Sequence, residues 1–384
     1  MSNEPDRLSL CVIARDEEAN LPRLLASVEG LVDEIVVADT GSVDATVAIA
    51  QRAGARVCPF EWCDDFSAAY NHSLDHATGE WVLLLYADEE LAPGSHDEVR
   101  RLIRSEEAFA YTMLRQDYYG DQPTEHGYTE MLQTRLFRRR DSVRFVGRIH
   151  QQLEPRLTEC ALAEGRRTLA SDVRFRHYGY LGDYTGKKMP RTIQLLELEL
   201  AERPDSFYYL VELGRAKNIT GDPSSADILR RAAEQIATGE EPTHARSASL
   251  AMLLENLLAC DVLPDDFPLS MARAEQIAID FFSDSIPLIW QRALKRFKEN
   301  DFAESARLLE RILTLAEQQS YSRLVSFRPG IMHGDALLNL GVCYTRMARF
   351  KQAVACFERL KHDPQHAKAA EDNLKALKKL RGKG

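Results

Sequence analysis

The sequence predicts an α/β domain, with a mostly parallel sheet and helices on both faces, followed by an all-α helical-repeat domain. Three observations lead there. Short apolar runs alternate with helical patterns through the first half. Strand-like alternation stops near Lys187 and helix follows helix. Windows in the second half share one spacing of large and small residues. The expected division is 1–190 and 191–384, and 384 residues leave room for two domains of about 150 each.

Leu8 to Ile13 is a near-continuous apolar run, the signature of a strand buried on both faces. Leu21, Leu24, Leu25 and Val28 then recur at helical spacing. Ile35 to Ala38 reads as a second strand, and Asp44 to Ala53 as a helix with Ser42 or Asp44 as N-cap and Gly54 as stop. Arg56–Phe60 is a third strand, Ser67–Ala77 a third helix ended by Gly79, and Trp81–Tyr86 a fourth strand. Alternation of this kind builds βαβ units on a parallel sheet. Ligands of such sheets sit beyond the carboxyl ends of the strands, which selects Ala14–Glu18, Asp39–Ser42 and Ala87–Glu90.

In the second half, Leu210, Leu213, Gly214, Ala226 and Ala233 hold the relative positions of Trp290, Ala293, Leu294, Phe297, Ala306 and Leu313. Leu337, Leu340, Gly341, Tyr344, Ala353, Phe357 and Leu360 repeat the arrangement. This is the pattern of a ~34-residue helix-turn-helix repeat of tetratricopeptide type. The windows are not contiguous, so helices between about 244 and 282 must fill the gap, and an ordinary bundle is the alternative for them. The basic end, Lys375, Lys378, Lys379, Arg381 and Lys383, reads as a solvated capping helix whose cations suit its negative terminus.

Composition excludes several classes. A net charge of -10 repels phosphate backbones, so nucleic acid is not an expected partner, although a local pocket can still hold a small phosphorylated ligand. The seven cysteines are scattered without a CxxC pair, which gives neither a metal-site nor a disulfide spacing and fits buried thiols in a reducing cytoplasm. The N-terminal apolar run of about six residues is too short for a signal core or a membrane span, so the expected location is cytoplasmic, with no integral membrane segment. No Gly-x-Gly-x-x-Gly follows the first strand, and neither a P-loop nor a nucleophile elbow occurs.

Several stretches, in order, resemble family 2 glycosyltransferases. They are Ser9–Leu21, Val32–Ser42, Asp64–Asn71, Gly79–Glu89, Arg135–Arg138 and Phe145–His150. The resemblance covers roughly the first 190 residues, and members with helical repeats behind the transferase domain are familiar. It implies a GT-A fold that takes a sugar from a nucleotide-diphosphate donor, a UDP-sugar favoured, and passes it to an acceptor with inversion. Charge grows on the leaving diphosphate as the bond breaks, so Mg²⁺ or Mn²⁺ held by a carboxylate is implied as cofactor. Asp88 matches the metal-binding Asp of the family's Asp-x-Asp motif and is the first catalytic candidate, with His150. Glu17 and Asp39, with Ala14, Ser42 and Asn71, match nucleotide-sugar contacts. His177 matches a late His that closes many such sites on the metal. The acceptor (peptide, glycan or lipid-linked) is left open, and so is a protein partner on the repeats.

Each residue alone has a plainer reading. An acidic pair after a strand is a loop or cap, Asp39-Thr40-Gly41-Ser42 is a turn leading into a helix, and His150 and His177 are structural histidines. The ordered combination, not any single member, supports the functional reading. Three positions depart from the family pattern: Tyr86 replaces the first Asp of Asp-x-Asp, Tyr70 an Arg, and Gln151 the acid after the Gly-x-x-His motif. An amide at 151 cannot take a proton at neutral pH, and losing a general base costs about 10²–10⁴-fold in rate. Glu154 and Glu130 are the candidate substitutes. The alternatives are a degenerate, weak or inactive transferase fold acting as a protein-binding scaffold through its repeats, or an acceptor such as a thiol that needs little base help.

Overall fold

The apolar runs of the first half assemble into one eight-stranded sheet, of strand order 3-2-1-4-7-6-8-5. The computed structural model describes residues 7–124, 127–153, 156–182, 186, 188–236, 247–260 and 262–381. Two compact units divide the chain, Met1–Pro204 and Asp205–Gly384.

In the first unit, β1 (Leu8–Ala14), β2 (Glu34–Asp39), β3 (Arg56–Pro59) and β4 (Trp81–Leu84) form the parallel half of the sheet. The other half is mixed. β5 (Glu89–Leu91), β6 (Ala108–Gly120), β7 (Tyr128–Arg138) and β8 (Arg167–Leu181) join through antiparallel pairs β4–β7, β7–β6 and β8–β5, with β6–β8 parallel. Alternation along β1 and β4 explains helices on both faces. Leu8, Leu10, Val12, Trp81 and Leu83 enter one core with Leu21, Leu24 and Leu25 of α1 (Leu21–Ser27), Ala50 of α2 (Thr46–Arg52) and Val99 and Leu102 of a later helix, His96–Leu102. Cys11, Val82 and Leu84 enter a second core with Tyr70 and Leu74 of α3 (Phe66–His76). With His96–Leu102 as α4, α5 (Arg156–Ala163) adds Leu157 and Ala161 to that second face.

Caps set the helix starts. Asp65 accepts from the Ala68 N–H at 3.0 Å and begins α3 one residue before the expected Ser67. At α2 the helix begins at Thr46, and Asp44 still serves it from outside by accepting from the Thr46 N–H at 2.9 Å. The helix Met189–Glu202, α6, follows β8 and belongs to the first unit, so the change to helical pattern near Lys187 precedes the division at 204.

The second unit is helical among its described residues: α7 (Phe207–Ile219), α8 (Ser225–Ile236), α9 (Ala248–Ala259), α10 (Met271–Phe281), α11 (Ile286–Lys298), α12 (Phe302–Glu317), α13 (Ala336–Arg346), α14 (Phe350–Arg359) and α15 (Ala367–Arg381). The three sequence windows are the pairs α7/α8, α11/α12 and α13/α14, and α9 and α10 fill the gap. The small residue of the pattern has a steric cause. A Cβ on Gly341 would come within 2.5 Å of the Phe357 ring, so only glycine lets α14 pack this close. The serine hydroxyls that open the second helices bind back to the first: Ser225 donates to the Gly214 carbonyl at 2.8 Å, and Ser305 to the Ala293 carbonyl at 2.9 Å.

A π-helical turn, Ile331–Asp335, leads into α13 and brings Asp335 to the buried His366. The His366 ring lies between two carboxylates, Nε2 2.9 Å from Asp335 and Nδ1 2.8 Å from Asp363, with Arg328 3.7 Å from Asp335. Burial would lower its pKa, but hydrogen bonds to Asp335 and Asp363 outweigh that and raise it. For Asp363, burial is outweighed by bonds from His366 and from backbone N–H groups, and the carboxyl stays below its usual range. The raised imidazole contributes stability below the unfolded histidine pKa of about 6.5 and loses it as pH climbs through the folded value; the lowered carboxylate contributes above about 4. The helical unit is therefore expected to melt at higher temperature at pH 6 than at pH 8. His366→Gln should flatten that slope in calorimetric melts, and an unchanged slope would discount the clamp.

Candidate functional site

The site forms where the parallel strands end. The loops after β1 and β2 are laced together. Asp16 N–H donates to Ser42 Oγ at 3.1 Å, Val43 N–H to Asp16 Oδ1 at 2.8 Å, Glu17 N–H to Thr46 Oγ1 at 2.7 Å, and Ala45 N–H to Glu18 at 3.0 Å. Asp16 adopts φ 54°, a left-handed turn that aspartate tolerates better than most residues. The Ala14 carbonyl accepts from the Thr40 N–H at 2.9 Å, which ties the end of β1 to the turn after β2. Asp39 accepts from the Gly41 and Ser42 N–H groups at 3.2–3.3 Å, which is the turn geometry its sequence suggests, and its side chain remains half-exposed.

Asp88 is placed by a tight turn after β4. Tyr86 N–H donates to Glu89 Oε2 at 2.7 Å and Glu89 N–H to the Tyr86 carbonyl at 3.0 Å. Glu89 is fully buried and pairs with Arg135 at 2.9 Å. The chain then returns as β5, whose Glu89 stands opposite His177 of β8. This pairing brings His177 Nε2 to 3.3 Å from Asp88 Oδ2, and Lys188 Nζ lies 3.6 Å from the same oxygen. On its other side, His177 Nδ1 is 2.6 Å from Asp117 Oδ1, and Arg115 pairs with Asp117 at 2.7 Å. Arg115 also comes within 2.9 Å of Nδ1. One nitrogen cannot both donate to Asp117 and accept from Arg115. Asp117 is held ionised, burial being outweighed by Arg115 and His177, so Nδ1 carries a proton toward Asp117. Burial would lower the His177 pKa, but hydrogen bonds to Asp117 and Asp88 raise it, so Nε2 carries a proton as well and donates to Asp88.

The charges are tuned against one another. Burial would raise the Asp88 pKa, but the His177 hydrogen bond and the nearby cations hold it well below the carboxylate range. Burial raises the Glu17 pKa, the Asn20 hydrogen bond lowers it, and the negative charge of Asp88 raises it further. Glu17 and Asp88 thus repel each other, which favours a cation near them. The space at Asp88 is small: a Cβ on Gly179 would come within 2.3 Å of Asp88 Oδ2 and 2.6 Å of His177 Nε2.

The three departures from the family pattern touch one another. The Tyr70 and Tyr86 rings lie 5.7 Å apart, and Gln151 Nε2 donates to the Tyr86 hydroxyl at 3.0 Å. Arg135 covers the Tyr86 ring at 4.0 Å. Asn71 is committed elsewhere: its amide donates to the Phe145 carbonyl and accepts from the Phe145 N–H, both at 2.9 Å. It fastens the 145–151 loop, together with Ser67 donating to the Gly147 carbonyl at 2.6 Å and Glu199 of α6 accepting from the Arg148 N–H at 2.6 Å. His150 is half-buried on that loop at φ 50°. Glu130 is buried in β7 opposite Gln116, and Glu154 lies outside the described residues.

So the structure brings Asp88 and His177 together, with Glu17 near enough to feel the Asp88 charge and with the 16–18 loop bonded to the turn after β2. Arg115, Asp117, Lys188 and Gly179 belong there too and were not read from the sequence. The charged pair Arg115 and Asp117 within the stretch Met113–Tyr118 was the available signal, since such residues are rarely buried unless paired. Among the described residues, no group of three or more His, Cys, Asp or Glu side chains is arranged to hold a metal alone, and no helix is long and apolar enough to cross a membrane.

Residues 9–155 match the model of the family described as Glycosyl transferase family 2. This segment is a family 2 glycosyltransferase domain. The match runs from β1 to just before α5 and spans the residues from Glu17 to Gln151. A TPR repeat-containing protein of Synechococcus elongatus is 40% identical over 224 residues, covering 57% of this chain and 54% of that protein. The SPbeta prophage-derived glycosyltransferase SunS of Bacillus subtilis is 24% identical over 298 residues, 72% of this chain and 66% of its own. The chain thus spans between half and two thirds of the length of these two relatives. A mannosyltransferase of Pyrobaculum calidifontis, solved with GDP-Man and Mn2+, is 18% identical with a TM-score of 0.40, covering 61% of this chain and 76% of that one. That likeness is too loose to assign anything to this chain.

Asn71→Ala would leave the Phe145 N–H and carbonyl without their partner. It is expected to cost about 1–3 kcal/mol in urea unfolding and to speed amide exchange at residues 145–151. Unaltered exchange there would mean that other contacts hold the loop.

Proposed function

We propose that the transferase domain takes a sugar from a nucleotide-diphosphate donor, a UDP-sugar by preference, and passes it to an acceptor with inversion. The observation that carries this reading is the Asp88–His177 pair at the end of β4, with Glu17 opposite it, inside a segment that matches the transferase family. The donor set fits a divalent cation. A carboxylate oxygen and an imidazole nitrogen converge, and the second ring nitrogen is fixed by a carboxylate, the usual support of a metal-binding histidine. Asp88 and His177 would hold Mg²⁺ or Mn²⁺, with phosphate and water completing its shell. Such a cation supplies charge neutralisation at the departing diphosphate.

The protein's own residues do the rest. Glu17 and the Asp39–Ser42 turn line the nucleoside side, where carboxylates accept from base and ribose groups. On the acceptor side, Gln151 donates to the Tyr86 hydroxyl, so position 151 supplies no proton acceptor. General-base help worth about 10²–10⁴-fold is therefore missing there, and turnover should be slow or should favour an acceptor that is already a good nucleophile. The same observation favours the second reading, a transferase fold that binds the donor weakly or without turnover and serves as a scaffold. In the helical unit, the stacked helix pairs would supply the surface for a peptide acceptor or partner.

Calorimetric titration with UDP and GDP, with and without Mn²⁺, tests the reading. Metal-dependent binding is expected, and Asp88→Ala should abolish it. Gly179→Ala should weaken it at least about tenfold, because its Cβ occupies the space between Asp88 and His177 without removing either. Failure of both nucleotides to bind would discard the donor site and leave the scaffold.

A further inference from the structure

Asp88 Oδ2 has two cationic neighbours of different character. His177 is 4% exposed and fixed from behind by Asp117. The Lys188 side chain is 60% exposed, and its ammonium stands 3.6 Å away on a flexible four-carbon stem. An ion pair this exposed and this long is weak and readily exchanged. Both nitrogens and the carboxylate oxygen ring one volume. A Cβ built on Gly179 would lie 2.3 Å from Asp88 Oδ2, 2.6 Å from His177 Nε2 and 2.9 Å from Lys188 Nζ. A divalent cation bound to that oxygen would therefore meet the ammonium at close range. Like charges in so small a space cannot share one carboxylate without a large cost.

We propose that Lys188 is the resident counter-ion of Asp88 in the nucleotide-free protein, and that its ammonium moves to the diphosphate oxygens when a divalent cation takes its place. The proposal rests on the donor-site reading above. The Lys188 head can travel several ångströms by rotation of its stem alone. The metal and the diphosphate then bind as coupled ligands, because each removes an obstacle to the other: the phosphate draws Lys188 off Asp88, and the metal releases Lys188 for the phosphate. Such coupling is reciprocal by linkage. It also keeps Asp88 from collecting free metal between turnovers.

The test is Mn²⁺ binding to the full chain, followed by the electron-spin signal of free Mn²⁺, with and without saturating UDP. Wild type should bind Mn²⁺ weakly alone and much more tightly with UDP. Lys188→Gln should tighten Mn²⁺ binding in the absence of UDP by about 3–10-fold, since it removes a competing charge. With UDP present it should weaken Mn²⁺ binding about tenfold, as expected for one lost charge-assisted contact to phosphate. Lys188→Arg should behave as wild type in both conditions. Mn²⁺ binding without UDP that stays unchanged, or weakens, in Lys188→Gln overturns the proposal while the donor site stands. Wild type lacking any UDP-dependent Mn²⁺ binding that Asp88→Ala removes overturns the donor site itself, and the proposal with it.

Discussion

The placement of Asp88 depends on the buried carboxylate that follows it in the chain. Glu89 is fully buried, receives the Tyr86 N–H, and is balanced by Arg135. Breaking a buried pair by removing one partner costs about 3–5 kcal/mol, far more than any surface pair contributes. That constraint forces the turn after β4, and the turn directs Asp88 at the cleft while β5 pairs with β8. His177 then arrives by strand register, and Asp117 and Arg115 follow because β6 is the next strand along. The cluster of Asp88, His177, Asp117 and Arg115 is thus a consequence of one internal ion pair in the same turn.

The parallel half of the fold was legible in the sequence because its signals are local. Leu8–Ala14 and Trp81–Leu84 are buried on both faces and read as unbroken apolar runs, and the helices between them show their stripes and caps. The long strands β6, β7 and β8 escaped because they carry buried charges and polar residues, which blur both the apolar run and the alternation. Their partners lie far along the chain, so no local pattern announces the pairing. The repeat windows were legible for a steric reason: Gly341 faces the Phe357 ring across a helix pair, and that size contrast survives in the spacing of the residues.

At the site, the motif residues Glu17, Asp39 and Asp88 could be named from order and spacing, whereas their supports could not. Asp117, Arg115 and Lys188 reach Asp88 or His177 only through strand pairing or side-chain reach. Asn71 shows the converse. Its motif position suggested a ligand contact, but its amide is matched to the Phe145 backbone, a use that sequence cannot distinguish from ligand binding. The contact between Tyr70, Tyr86 and Gln151 is also invisible in sequence. Three separate departures become one packed, hydrogen-bonded patch, a satisfied arrangement rather than three unrelated losses.

Glu199 bears on where one module ends. It sits on a helix that, by pattern, belongs with the repeats, yet its 1% exposed carboxylate receives the Arg148 N–H of the loop that carries Gln151. The working boundary between the two halves is therefore set by a hydrogen bond and not by a change of periodicity. Evolution, or an engineer, can exchange the helical part of this protein for another only by cutting after that acceptor. Every swap made earlier would take a piece of the transferase away with the repeats.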